Sequence, residues 1–158
     1  MLVEMFDDYQ LLTWHLHTED MIAIDTETNG LHPYHGSHMI GMSFYFPANN
    51  QTFYIPFRHE AGINAPDEYL QDLKNHYPLP GKTYIGHNLK FDLHVLHVEG
   101  FNRPDRVEET MIAAHLINEN EWLSNGEQVK GAYSLKRLAR NYLGDWAGEG
   151  EDELIAAA

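Results

Sequence analysis

Asp25 and Glu27 stand two residues apart within Met21–Thr28 (MIAIDTET), and Asn88 and Asp92 stand four apart within residues 86–92 (GHNLKFD). If MIAIDTET is a strand, its period of two puts both carboxylates on one face, with Ile24 and Thr26 on the other. Two ionised carboxylates side by side repel, and a divalent cation relieves that repulsion better than water or dissolved salt. An isolated Asp-x-Glu is often no more than a solvated acidic turn. Here the acids follow directly on Met21, Ile22, Ala23 and Ile24, residues of core type. On a helix Asn88 and Asp92 face the same way, one turn apart, although an amide and a carboxylate in a first turn also serve as caps. Together the two sets form an oxygen-donor constellation, which selects hard ions such as Mg²⁺ or Mn²⁺.

Strands and helices must position these groups. The apolar run opening into acids at Met21–Thr28 reads as a central strand, followed by the turn signal Asn29-Gly30 and a Pro/His/Gly loop. Met39–Phe46 is a second strand, Asn49-Asn50 a hairpin turn, and residues 52–57 a third strand, giving an antiparallel meander. Asp67 is placed to cap a helix carrying Tyr69, Leu70, Leu73 and Tyr77 before Pro78 and Pro80 break the chain. Thr83–Gly86 reads as a short buried strand, and Asn88 opens a helix with Phe91, Val95, Leu96 and Val98 on its apolar side. Residues 109–117 are helical. A last helix has Ser134 as its cap, Leu135, Leu138, Ala139 and Tyr142 at helical spacing, and Gly144 just past its end. Strands followed by helices around one acid-bearing strand predict an α/β domain.

Composition limits what this arrangement can bind. The chain has 158 residues, 24 acidic against 10 basic side chains, a net charge of −14 and no cysteine. That excludes disulfides, a thiolate nucleophile and cysteine-ligated metals. No apolar run is long enough to span a membrane, and the first 57 residues carry neither Lys nor Arg, which argues against a signal peptide. A cytoplasmic protein without membrane contact is expected. The net charge repels phosphate backbones, so any polyanion must be held locally, through metal ions or a few placed cations.

Residues 21–144 carry an ordered resemblance. The segments DTETNGLHPYHGSHMIGMSFYF, TFYIPFRHE, YIGHNLKFDLHVL, EETMIAAHLIN and YSLKRLARNYLG together resemble the 3′–5′ exonuclease domain of DNA polymerase I-like (family A) polymerases, within the DEDD exonucleases. The resemblance implies a ribonuclease H-like mixed sheet with an antiparallel three-strand meander and flanking helices. It also implies that Asp25, Glu27 and Asp92 are metal ligands and the catalytic residues, holding two divalent ions, Mg²⁺ or Mn²⁺, about the scissile phosphate. Thr28 and Leu31 match positions that touch the terminal nucleotide, Leu31 as a wedge against its base. Asn88, and His87 beside it, match positions near the substrate strand, while Lys90 is placed to meet a phosphate. The partner so implied is a single-stranded DNA 3′ end, with the remainder of a polymerase chain alongside. Phage polymerases carry such domains near their N-termini, and a phage-encoded chain would work in the host cytoplasm.

One part of the pattern is missing. The third motif, Tyr-x-x-x-Asp or His-x-x-x-x-Asp, supplies the last ligand and the residue that orients water. Tyr142 has Asp145 three positions on, Tyr133 has Arg137 at four, and His115 has Asn120 at five. The expectation is therefore an incomplete domain over residues 1–146, its C-terminal part truncated, with an acidic Gly/Ala-rich tail at 147–158. Glu149, Glu151, Asp152 and Glu153 in that tail are weak candidates for replacement ligands. An incomplete sheet would expose apolar surface and favour self-association. Two other readings keep the fold: an inactive remnant that serves as a binding or assembly module, and a ribonuclease D-like enzyme acting on RNA. Lys130, Lys136, Arg137 and Arg140 form either a solvent face or a phosphate rail. The eleven histidines, among them His32, His35, His38, His94 and His97, are read as structural or surface residues.

Overall fold

The computed structural model describes residues 1–3, 6–118 and 131–148. The chain divides into two compact units, Met1–Glu108 and Glu109–Ala158.

The first unit is built on a five-stranded sheet of order β3-β2-β1-β4-β5, formed by β1 (Met21–Thr28), β2 (Met39–Phe46), β3 (Gln51–Pro56), β4 (Thr83–Gly86) and β5 (Arg106–Glu109). The meander is present as expected: β1 pairs antiparallel with β2, and β2 with β3. β4 lies parallel to β1, with Ile22 opposite Tyr84. Reaching a parallel position requires a crossover, and α2 (Asp67–His76) occupies it; α3 (Leu89–Val98) follows β4. Because β1 and β4 run the same way, the carboxyl end of β1 and the start of α3 come to the same edge of the sheet.

Alternation along the strands decides which face is filled. Ile22, Ile24 and Thr26 of β1 are buried, and Phe44 of β2 sits between Ile24 and Phe53 in register. These residues join Leu12 and Leu16 of α1 (Phe6–Thr18), Leu70 and Leu73 of α2, and Val95 and Leu96 of α3 in one core. Each fully buried side chain of this size stabilises the fold by roughly 1.5–3 kcal/mol. The opposite face of β1 carries Met21, half exposed, then Ala23, Asp25 and Glu27. Only Ile22 and Ile24 of the four residues leading into the acids are core, because the strand shows its other side chains outward.

The structure corrects several boundaries. Asp67 is the first residue of α2 rather than its cap, since Pro66 occupies the N-cap with extended backbone. Val98 is 45% exposed, so the apolar side of α3 is completed by Leu89 instead. Helix α1 and edge strand β5 had no predicted counterpart.

In the second unit, Glu109 caps α4 (Thr110–Ile117), its carboxylate accepting from the Met111 and Ile112 amides at 3.2 and 2.7 Å. The expected last helix is α5 (Leu135–Leu143), ended by Gly144 at φ 100°. Ser134 stands at its N-cap without a side-chain capping bond, and none of its residues is buried: of the predicted apolar face Leu135 and Tyr142 are exposed, Tyr142 at 67%, and Leu138 and Ala139 are half-buried. Trp122, Lys130 and the acids at 149–153 lie outside the described residues.

Candidate metal and substrate site

Asp25 and Glu27 project from the last turns of the β1 pleat, where the β1–β2 register shifts between Glu27 and Thr28. Such an irregularity bends a strand end and re-aims its side chains. Asp92, one turn into α3, is 3% exposed and approaches from the core side. One of its oxygens, Oδ1, accepts from both the backbone amide and the hydroxyl of Thr26, at 2.9 and 2.7 Å. Asp92 is therefore tied to the strand residue that lies between the two exposed acids. Sequence reading placed Thr26 on the opposite face correctly but gave it no role; a hydroxyl at a buried position between two acids was the available signal.

The three carboxylates form one electrostatic group. Burial, then the charge of Asp92, then that of Glu27 push the Asp25 carboxyl from 3.8 up to about 6. Burial also raises Asp92, and the two hydrogen bonds from Thr26 pull it part of the way back. A carboxyl raised by burial and by neighbouring carboxylates is one whose charged form a divalent cation would favour. Among the described residues, no three His, Asp or Glu side chains close around a single ion. An open site is compatible with Mg²⁺, which keeps several waters and takes only one or two protein carboxylates. The oxygen donors present thus fit a hard divalent ion.

The start of α3 departs from expectation. Asn88 precedes the helix in the left-handed region, φ 55° and ψ 36°, and makes no capping bond with its side chain. Its backbone is not helical, so it stands just before α3 and Asp92 lies in the helix's first turn without it. Asn88 and Lys90 are exposed and His87 is half-buried. Leu31 is 78% exposed, and the Thr28 hydroxyl donates to the Gly30 carbonyl at 2.8 Å, which shapes the turn that presents Leu31.

A neighbour that sequence reading missed lies across the sheet. Glu27 pairs with Gly41, and a methyl group at Gly41 would run into the ring and hydroxyl of Tyr54. Glycine is thus required for Tyr54 to lie over β2. Burial first, and then the charge of Glu27, push the Tyr54 hydroxyl up to about 12. That hydroxyl meets His59 Nε2 at 2.5 Å, and His59 is held in turn by two hydrogen bonds with Asn64. Further back, Glu99 accepts from the Met39 amide at 3.0 Å and pairs with Arg58 through two hydrogen bonds of 2.7 and 3.0 Å. This clip joins the residue after α3 to the start of β2.

A mixed sheet of this order, with flanking helices, defines the ribonuclease H-like α/β class to which DEDD exonucleases belong. Residues 4–153 match the family described as 3′–5′ exonuclease, and the chain belongs to that family, the exonuclease domains of DNA polymerase I-like polymerases. It is similar to DNA polymerase I of Borreliella burgdorferi, 36% identical over 103 residues, covering 65% of this chain and 11% of that protein. It is also similar to the DNA polymerase DpoZ of Acinetobacter phage SH-Ab 15497, 32% identical over 123 residues, covering 77% of this chain and 17% of that protein. Among solved structures, Brucella melitensis NrnC with bound Mg²⁺ matches with a TM-score of 0.58 and 26% identity, over 80% of this chain and 54% of that one. The chain thus spans a small part of the length of the curated relatives it matches. The family is divalent-metal-dependent. No helix among the described residues is long and apolar enough to cross a membrane.

Proposed function

We propose that this chain hydrolyses phosphodiesters at single-stranded DNA 3′ ends, with Asp25, Glu27 and Asp92 as the carboxylates that hold its divalent ions. The observation that carries this reading is the convergence of Asp25 and Glu27 at the end of β1 with Asp92 of α3, which Thr26 ties to the strand between them. Family membership supplies the reaction class, and the Mg²⁺ in the NrnC structure favours Mg²⁺ or Mn²⁺. When bound, two such ions would supply an activated water and neutralise charge developing on the leaving 3′ oxygen.

The chain's own residues do the placing. Thr26 fixes Asp92 by two hydrogen bonds, both to Oδ1. Glu27 stands beside the Tyr54 hydroxyl, which stays protonated throughout the working pH range. Leu31, extended into solvent, is available to wedge against a terminal base, and the Thr28 hydroxyl bonds into the turn that carries it. His87, Asn88 and Lys90 lead into α3, where a helix start and a lysine both favour a phosphate. The rest of a polymerase chain is the natural neighbour in this reading.

The test is degradation of a 5′-labelled single-stranded DNA by the purified chain with Mn²⁺, beside Asp25→Ala and a matched RNA. A ladder growing from the 3′ end that vanishes in Asp25→Ala supports the proposal. Preference for the RNA would transfer the activity to the ribonuclease D-like reading. A folded protein that cuts neither strand would leave a binding or assembly module.

A further inference from the structure

His17, in the last turn of α1, and His76, the last residue of α2, meet across the α1–α2 contact. The Nε2 of His17 lies 2.9 Å from the Nδ1 of His76. On the far side of the same ring, His76 Nε2 faces Asp72 Oδ2 at 3.2 Å. A carboxylate at that distance holds the proton on Nε2 and leaves the Nδ1 lone pair pointing at His17. Asp72 is itself fixed, since its Oδ2 accepts from the Tyr9 hydroxyl at 3.0 Å. The remaining charges nearby are Lys82, whose ammonium donates to the His17 carbonyl at 2.7 Å, and Asp20, 3.8 Å from that ammonium. None of these residues belongs to the carboxylate site.

We propose that His17 and His76 form a two-imidazole clamp for a borderline transition-metal ion such as Zn²⁺ or Ni²⁺. Two nitrogens bound at 2.0–2.1 Å with a tetrahedral angle lie roughly 3.3 Å apart. The observed 2.9 Å needs only a small opening to reach that. On binding, His17 carries its proton on Nδ1 instead of Nε2, and the ion sits to one side of the line between the two nitrogens, so that both rings turn to aim at it. Asp72 then plays the supporting part that carboxylates play behind metal-binding histidines, orienting the ring. His76 is 27% exposed at its side chain, which leaves room for waters to complete the coordination. Imidazole donors separate this clamp from the oxygen site at Asp25, which takes harder ions. The bound ion would join the ends of two core helices and stabilise the first unit.

The clamp stands independently of the nuclease reading, and the test needs no activity. Ni²⁺ is titrated calorimetrically into the full chain and into His17→Gln, His76→Gln and Asp25→Asn, with the unfolding midpoint followed in parallel. The expected result is one micromolar site in the parent and in Asp25→Asn, weakened at least tenfold in either histidine variant. The midpoint should rise by several degrees with Ni²⁺ in the parent and Asp25→Asn only. Circular dichroism without metal establishes that the variants fold. As a check that needs no variant, the Cu²⁺ paramagnetic resonance of the parent should show two nitrogen ligands. Binding retained in both histidine variants, or a copper spectrum with oxygen ligands alone, would overturn the proposal.

Discussion

Thr26 donates two hydrogen bonds to a single oxygen of Asp92, and one of them comes from its side chain. Thr26→Val keeps the shape and the backbone donor but removes the hydroxyl. Hydrogen bonds to charged groups contribute about 1.5–3 kcal/mol, and the retained amide softens the loss, so urea denaturation should show destabilisation of about 1–2 kcal/mol. If Asp92 holds a metal ion as proposed, removing the partner that orients it should cost about 10–100-fold. Single-turnover degradation with Mn²⁺ should slow by about that factor, and Thr26→Ser should recover most of it. The elevated Asp25 carboxyl gives a second prediction. Its folded pKa of about 6 lies above the unfolded value of 3.8, so its stabilising contribution is complete below the lower value and is lost as pH rises through the upper one. Asp25 has a solvent-exposed flank that screens the effect. Metal-free protein should therefore lose on the order of 1 kcal/mol between pH 4 and pH 7 from this group, after discounting for that exposure. Asp25→Asn should flatten that slope in thermal melts, and millimolar Mg²⁺ should raise the midpoint more at neutral pH than at pH 5.

At the scale of elements, the site depends on where α3 stands, and the Arg58–Glu99 clip anchors its far end. Glu99 is 10% exposed at its side chain and Arg58 37%, so one partner is desolvated and the other is not. Burial works to raise Glu99, but the hydrogen bonds from Arg58 and Met39, with the charges of Arg58 and His38, outweigh it and hold the carboxyl low. A lowered carboxyl contributes stability above its unfolded pKa and loses it as pH falls through the folded one. Glu99→Gln should therefore cost about 1–3 kcal/mol at pH 7, and the gap to the parent should close toward pH 3 in urea titrations. Hydrogen exchange should quicken in α3 more than in β1. These tertiary links were not legible in the sequence, because Arg58 and Glu99 are 41 positions apart and either reads alone as a surface charge. The strands were legible: β1 and β2 have the predicted limits, since Ile22, Ile24, Met42 and Phe44 alternate inward and acids or turn residues bound them. Helix α1 was not, because Phe6, Leu11 and Trp14 are exposed while His15 is buried, which blurs the apolar stripe. Strand β5 is charged, exposed and four residues long, so no alternation marks it. The acid pair on β1 was legible because a period of two is unambiguous. The left-handed backbone of Asn88 was not, because a single such residue at a strand-to-helix turn leaves no periodic trace.

For the whole molecule, the net charge of −14 sets the terms on which a polyanion can approach. A protein that binds single strands through a basic groove loses affinity as salt rises and has no need of divalent ions. Here the ten basic residues are outnumbered by 24 acids, so the general field repels phosphate and affinity must come from local contacts, either ions held by the protein or a few placed cations such as Lys90. If Asp25, Glu27 and Asp92 supply those ions, binding of DNA and binding of metal become one linked equilibrium. Each then strengthens the other by the same factor. Fluorescence anisotropy of a labelled single-stranded oligonucleotide at low salt should show almost no binding in a chelator. Binding should appear with millimolar Ca²⁺, a hard ion of the same donor preference. Asp25→Asn removes a repelling charge as well as a ligand, so simple electrostatic relief would make that variant bind DNA better in the chelator than the parent does. Metal bridging predicts the reverse ordering once Ca²⁺ is present, with the parent the tighter binder. Measuring both proteins in both conditions separates the two effects, and a variant that binds better in each would mean that the carboxylates repel DNA without recruiting an ion to hold it.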